Sequence, residues 1–235
     1  MQLGDNIPLE FTTTSCNRPE LLETTYKSFT SRLIGVDFSK STLYINIDPA
    51  PNNTNIAEVE NTANKYFGNV VVNYPEEPNF ANAVLWCFAQ VKGDYFFHLE
   101  DDWVLNIDVH INDMLSKINS NILQCVLNKK PIITREIGEP MFIPSLFRTE
   151  HLRKYLPIMD GASNPEAQMK YIYRKNQLLL KQYKSILFNK NIEVTSDIGR
   201  AWLRRHKISR DYAKTSKTNN SRSWSPWITW RTKKK

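Results

Sequence analysis

Residues 80–102 read FANAVLWCFAQVKGDYFFHLEDD, and this stretch decides the fold class. Phe80 to Lys92 predicts a helix stopped by Gly93. Tyr95 to Leu99, apolar at every position save His98, predicts a strand buried on both faces. That strand runs straight into Glu100, Asp101 and Asp102. Three successive carboxylates repel one another and cost stability unless a positive charge offsets them, and a divalent metal is the economical candidate. Oxygen ligands suit Mg2+ or Mn2+, which take few protein carboxylates and fill an octahedral shell with water and phosphate oxygens. An isolated acidic run would cap a turn or face water. Its place at the end of an apolar strand favours the metal.

Working outward, Leu9, Phe11 and Thr13 alternate in a first strand that reaches Thr14 and Ser15. Asn17-Arg18-Pro19-Glu20 predicts a capping box, with Asn17 as N-cap, Pro19 in the first turn and Glu20 at N3. Leu22, Tyr26, Phe29 and Leu33 follow at helical spacing. Leu43, Ile45 and Ile47 alternate in a second strand ending on Asp48. A helix carrying Ile56, Val59, Ala63 and Phe67 stops at Gly68, and Val70 to Tyr74 makes a third strand. Strands alternating with helices at this spacing predict right-handed crossovers, hence an α/β fold with a mainly parallel sheet between helices. Such sheets bind ligands beyond the carboxyl ends of the strands, where Thr14, Asp48 and the acidic run all fall. The chain has only seven glycines and neither a GxGxxG nor a P-loop pattern, so bound phosphates would need a metal or basic side chains.

Downstream, Ile111, Met114, Leu115 and Ile118 predict a helix, and Ile122 to Leu127 and Met141 to Ile143 predict strands. Ser163-Asn164-Pro165-Glu166 opens a helical stretch expected to run to about Tyr183. A short strand near Ile186 to Phe188 and a helix near Ile198 to Arg205 complete the reading.

Residues 80–102 resemble the segment of GT-A glycosyltransferases in which a helix, a Gly-Asp-Tyr turn and an apolar strand lead into a DxD-type metal motif. Thr12-Thr-Thr-Ser-Cys-Asn-Arg-Pro-Glu-Leu-Leu22 is similar to the family's first strand and N-R-P-x-x-L turn. The resemblance covers residues 8–105 well and thins past residue 140. It implies a GT-A, Rossmann-like domain that binds a nucleoside diphosphate-sugar through Mn2+ or Mg2+. Residues 1–105 would form its donor half, 106–206 its acceptor half and 207–235 a basic, Trp-containing tail. Carried over residue by residue, it places Thr13, Thr14 and Asp48 around base and ribose, and Arg18 near the phosphates. Asp102 would hold the metal, with Asp101 in a ribose or supporting contact. Two departures stand out: the motif here is EDD, and Phe80 occupies a position where many members have glycine. On the acceptor side, Asn164-Pro-Glu166 stands where an inverting member carries its catalytic acid residue, which makes Glu166 the candidate base. Arg200 could grip the diphosphate and His206 could supply a late metal ligand. His98, His110 and His151 have no ligand-like spacing and read as structural.

Composition bounds the alternatives. With 235 residues, 41% hydrophobic and 23% charged, the chain fits one folded domain, or one domain with a small appendage. The net charge of +7 belongs to the end of the sequence, since 11 of the 31 basic residues lie in 204–235 beside the single acid Asp211. Those bases, interleaved with Trp224, Trp227 and Trp230, suit a polyanion partner such as nucleic acid; equally, the tryptophans could fold back onto the domain. Three separated cysteines, no leader-like amino terminus and no long apolar run predict a reduced, cytoplasmic protein without a transmembrane segment. The acceptor could be a glycan, a protein or nucleic acid. Two rival functions are a non-catalytic GT-A-like module that binds a polyanion or glycan, and a nucleotidyltransferase. The complete acidic run with Asp48 argues against the first. The absence of glycine in the turn after the first strand argues against the second.

Overall fold

The computed structural model describes residues 6–49, 56–131, 138–175, 182–212 and 228–232, with 208–212 and 228–232 described as backbone. In chain order the elements begin with β1 (Glu10–Cys16), α1 (Pro19–Arg32), β2 (Leu33–Ile34), β3 (Thr42–Asp48), α2 (Ile56–Tyr66) and β4 (Asn69–Asn73). There follow α3 (Phe80–Gln90), β5 (Tyr95–Glu100), β6 (Trp103–Leu105), β7 (Val109–His110), α4 (Ile111–Lys117) and β8 (Ile122–Val126). Then come β9 (Ser145–Arg148), α5 (Thr149–Leu152), α6 (Pro165–Lys175), β10 (Lys184–Leu187), β11 (Thr195–Asp197), α7 (Gly199–Arg205), β12 (Ile208–Tyr212) and β13 (Ile228–Thr232).

Seven strands form one sheet in the order β10-β8-β9-β5-β1-β3-β4. β1 pairs in parallel with β3 and with β5, β3 with β4, and β8 with β10. β9 alone is antiparallel, inserted between β5 and β8. The chain leaves β1 toward β3 and β4, then returns to the other side of β1 as β5. The order therefore reverses between β1 and β5, which is where an open α/β sheet offers its ligand crevice.

Strand alternation sorts the side chains into two cores. Phe11, Leu43, Ile45, Ile47, Phe97 and Leu99 face α1, α2 and α4, packing on Leu22, Tyr26, Phe29, Val59 and Met114. Tyr44 and Phe96 face the other way, onto Val84, Cys87 and Phe88 of α3 and Met169 and Ile172 of α6. Registers Thr14↔Asn46 and Thr14↔Glu100 place Thr14, Asp48 and Glu100 together on the α3 and α6 face. The sheet thus lines up three chemically useful positions at its carboxyl edge.

Three expectations need correction. The capping box does not form: Arg18 is the N-cap of α1 and no side chain caps the helix. Glu20 is drawn away because its carboxylate accepts the indole N–H of Trp202 at 2.5 Å. The strand expected at Met141–Ile143 lies instead at Ser145–Arg148. The Gln124 side chain bonds both backbone groups of Met141, at 3.0 and 2.8 Å, and Pro144 has no N–H to offer a ladder. α6, expected to run to about Tyr183, is described from Pro165 to Lys175, and 176–181 lie outside the described residues. The carboxyl-terminal segment, expected only as a basic tail, contributes an antiparallel pair in which Ile208 opposes Thr232. Trp224 and Trp227 lie outside the described residues.

His98, read as structural, is fully buried, with Nδ1 3.1 Å from the Thr12 hydroxyl, and burial pushes its pKa down to about 3. Cys16, Cys87 and Cys125 form no disulfide with one another. Among the described residues no helix is long and apolar enough to cross a membrane.

Candidate active site

At the carboxyl edge of β1, β3 and β5 lies a cavity of about 460 Å³. Its floor is the junction of two strand ends. Asp101 turns inward: its carboxylate accepts the Ser15 hydroxyl at 3.2 Å and the Cys16 N–H at 3.0 Å, and it pairs with the Arg18 guanidinium. Its carbonyl accepts the Thr25 hydroxyl at 2.9 Å, which anchors the acidic run to α1. Asp102 is held from the other side. Its carbonyl accepts the Ile198 N–H at 2.9 Å, its carboxylate lies 3.4 Å from Arg18 Nη2, and Gly199 packs against it. A Cβ at Gly199 would stand 2.1 Å from Asp102 Oδ2, so only glycine admits this approach. Arg18 is 2% exposed and Asp101 and Asp102 are 3% and 7% exposed. An ion pair this deep is tolerable only because each charge has partners.

Asp48 enters the cavity from the end of β3. Asn73 donates to the Asn46 side-chain oxygen at 2.6 Å, and Asn46 donates to Asp48 at 2.8 Å, a relay that fixes the carboxylate. Burial, only partly offset by bonds from Asn46 and the Asn79 N–H, pushes the Asp48 pKa up to about 6. Thr14 lines the cavity beside it. Thr13 does not: alternation sends it to the opposite face, beneath α1 and toward Tyr26.

Across the cavity, Asn164 caps α6 by accepting the Ala167 N–H at 3.0 Å, and Glu166 sits in the first turn. Glu166 accepts the Phe142 N–H at 3.1 Å and pairs with Lys170 one turn on, so both side chains line the cavity. The third wall is Asp197, bonded to Lys129 at 2.8 Å and to the Gly199 N–H at 3.1 Å. Burial opposes its charge, but Lys129 and the bonds at the start of α7 hold its pKa below the ordinary value. Arg200 pairs with the outer side of Asp197 at 3.4 Å, its side chain 80% exposed and outside the cavity wall. His206 stacks on Trp202, with ring centroids 4.1 Å apart, and its Nδ1 approaches the Trp202 carbonyl at 2.9 Å. It does not line the cavity.

The structure therefore gathers Thr14, Arg18, Asp48, Asp101, Asp102 and Glu166 around one cavity, and leaves Thr13, Arg200 and His206 off its wall. Sequence reading missed Lys170 and Trp103 as wall residues and Trp202 as a platform 5.4 Å from the Arg18 guanidinium. Lys170 carried a usable signal, being four residues past Glu166 on a helix. Trp202 carried none, because its contact with α1 spans most of the chain.

Among the described residues, no three His, Cys, Asp or Glu side chains are grouped to hold a metal by themselves. The residues present fit a different arrangement. Asp102 reaches the cavity with one carboxylate, as suits Mg2+ or Mn2+ completing its shell with water and phosphate oxygens. The lining counts six carboxylates (Asp48, Glu100, Asp101, Asp102, Glu166 and Asp197) against two cations, Arg18 and Lys170. Each of those cations is already paired with a carboxylate.

No protein-family model matches the chain, and no curated protein matches its sequence. Solved structures do match. The mannosyltransferase PcManGT from Pyrobaculum calidifontis, in complex with GDP-Man and Mn2+, aligns with a TM-score of 0.58 at 12% identity, over 86% of this chain and 61% of that one. Residues 1–349 of S. aureus TarS align with a TM-score of 0.55 at 10% identity, over 80% of this chain and 60% of that one. The same TarS fragment in complex with UDP-GlcNAc gives 0.53 at 9% identity, over 80% and 58%. The fold is that of the GT-A glycosyltransferases. This chain spans about 60% of the length of the first two matched structures. Within the GT-A fold, the cavity between β1 and β5 is the crevice at the point where the strand order reverses.

Proposed function

We propose that the chain transfers a sugar from a nucleoside diphosphate-sugar to an acceptor hydroxyl with inversion, and that Mn2+ or Mg2+ assists at Asp102. The observation that carries this reading is the charge of the cavity. Six carboxylates line it against two cations that are already paired, and even with Lys129 and Arg200 behind Asp197 the balance stays negative, so a diphosphate would meet net repulsion without a divalent ion beside it. The two solved structures of the same fold that hold a nucleotide-sugar support the choice of ligand. When bound, the metal supplies charge stabilisation for the leaving diphosphate.

The remaining roles fall to the chain's own side chains. Asp48, fixed by Asn46, accepts hydrogen bonds from the nucleoside, with Thr14 beside it. Asp101 carries no ligand in this reading; it orients the run by holding Ser15, Cys16 and Arg18. Glu166 takes the proton of the acceptor hydroxyl as that oxygen bonds the anomeric carbon and the bond to the diphosphate breaks. Lys170, its ion-pair partner, keeps the carboxylate aimed across the cavity. Arg200, on the outer side of Asp197 and off the cavity wall, takes no part in this reading. Residues up to 105 serve the donor, residues 106–206 the acceptor, and the basic segment 207–235 a polyanionic acceptor. Truncation before Lys214 is then expected to raise the acceptor KM and flatten its salt dependence, with donor hydrolysis unchanged.

The test is a thermal-shift series on the full chain with UDP, GDP and their sugars, with and without Mn2+. A nucleotide-dependent rise in melting temperature that needs Mn2+ is expected. Equal shifts in excess chelator would remove the metal from the reading, and no shift with any nucleotide would remove the donor.

A further inference from the structure

We infer that Arg18 is a built-in counter-ion that competes with the divalent metal for the acidic run, so that the metal binds weakly alone and strongly only together with the diphosphate. This rests on the metal-dependent reading above and concerns what the chain itself does to that equilibrium.

The seat of Arg18 is fixed on every side. Its backbone starts α1, its carbonyl accepting the N–H groups of Leu21 and Leu22 at 3.1 Å each. The guanidinium lies against Asp101 on one flank, and one of its nitrogens, Nη2, is shared with Asp102 at the longer distance of 3.4 Å. The Trp202 ring covers it at 5.4 Å, and that ring is itself pinned by its bond to Glu20 at 2.5 Å. Two adjacent buried carboxylates need a cation to be stable in the folded protein, and Arg18 provides one permanently. The same charge stands beside the carboxylate that the metal would use, so an incoming ion meets a like charge a few ångströms away. A diphosphate changes the balance, because its own negative charge offsets both cations at once. The unequal contacts decide the roles: Arg18 is bound firmly to Asp101, whose carboxylate also holds Ser15 and Cys16, and loosely to Asp102, which faces the cavity.

Mn2+ titration of the full chain, alone and with UDP or GDP, tests this. Arg18→Met keeps the length and removes the charge; it is expected to bind Mn2+ alone about tenfold or more tightly than wild type. The factor by which nucleotide improves Mn2+ binding should shrink correspondingly, since the coupling is reciprocal. Arg18→Lys, which keeps the charge, should stay near wild type. Unchanged or weaker Mn2+ binding by a folded Arg18→Met protein, with wild type still binding Mn2+ and nucleotide together, overturns the inference and leaves the proposed function standing. If Arg18→Met does not fold, Trp202→Leu decides: loosening the guanidinium should tighten Mn2+ binding by a smaller factor, and unchanged or weaker binding overturns the inference. Failure of wild type and variants alike to bind Mn2+ with any nucleotide overturns both this inference and the metal-dependent reading.

Discussion

On the wall made by β1 and β5, Arg18 and Asp101 keep 2% and 4% of their side-chain surface exposed, whereas on the α6 wall Lys170 and Glu166 keep 27% and 31%. Both walls carry an arginine or lysine beside a carboxylate, yet the two pairs behave differently. The buried pair is part of the folded structure: either charge left alone would be desolvated and uncompensated, at a cost of about 3–5 kcal/mol. The half-exposed pair is screened by water and contributes on the order of 1 kcal/mol or less to stability. Substitutions at the Arg18–Asp101 pair should therefore change folding and ion binding together, while those on the second wall should change chemistry with little effect on folding.

The sharpest test of that contrast is the loss of the proposed metal carboxylate. Asp102→Ala is expected to cut transfer by about 10³-fold, the scale of several kcal/mol of charge stabilisation. Its melting temperature should hold, because Arg18 keeps Asp101. Turnover and thermal melts on one preparation check both halves, and a variant that retains transfer would reduce the acidic run to a structural turn.

Next in size is Glu166→Gln, expected to lower kcat by about 10²-fold with donor affinity preserved. The amide still accepts the Phe142 N–H, so denaturation midpoints should differ little from wild type. A purely structural Glu166 would show the reverse pattern, with normal turnover.

Gly199→Ala probes how rigid the first wall is. Its new Cβ would meet the Asp102 carboxylate at 2.1 Å, so one of the two must move. A displacement near 1 Å at a reacting site costs about 10²-fold or somewhat less where the neighbour yields. Mn2+ affinity in the presence of nucleotide should fall in parallel with kcat; an unaffected affinity would mean that α7 shifts instead of Asp102.

The last effect is on stability and concerns pH. Asp48 titrates at about 6 in the fold against 3.8 as its ordinary value, so its ionised form is disfavoured by folding. Its contribution is fully present below pH 4 and lost as pH rises through 6, an amount on the order of 3 kcal/mol. Relative to Asp48→Asn, wild type should therefore lose stability between pH 4 and 6, while nucleotide affinity that depends on the carboxylate should grow over the same interval. Parallel stability curves for the two proteins would show that burial does not penalise this group.

Much of the donor half was legible because its signals are local. Period-2 runs ending at Ser15 and Asp48, an apolar run ending at Glu100 and the helices between them follow from residues a few positions apart, and the parallel sheet follows from their order. The same alternation, applied one step further, would have separated Thr14 from Thr13, since neighbours on a strand face opposite sides. The helix start at Asn164-Pro-Glu166 was legible for a local reason too, whereas the choice of Glu166 as base came from the family resemblance.

What the sequence by itself determined is the succession of elements up to β5 and the convergence of Thr14, Asp48 and the acidic run at one edge. Tertiary structure alone decided that β9 enters the sheet antiparallel, that Glu20 abandons its capping position for Trp202, 182 residues away, and that Arg18 lies on Asp101, 83 residues away. Periodicity reports which face of an element is apolar, but it carries no information on which distant polar groups will share a buried site. That choice is made only when packing removes water and every buried charge must find a partner.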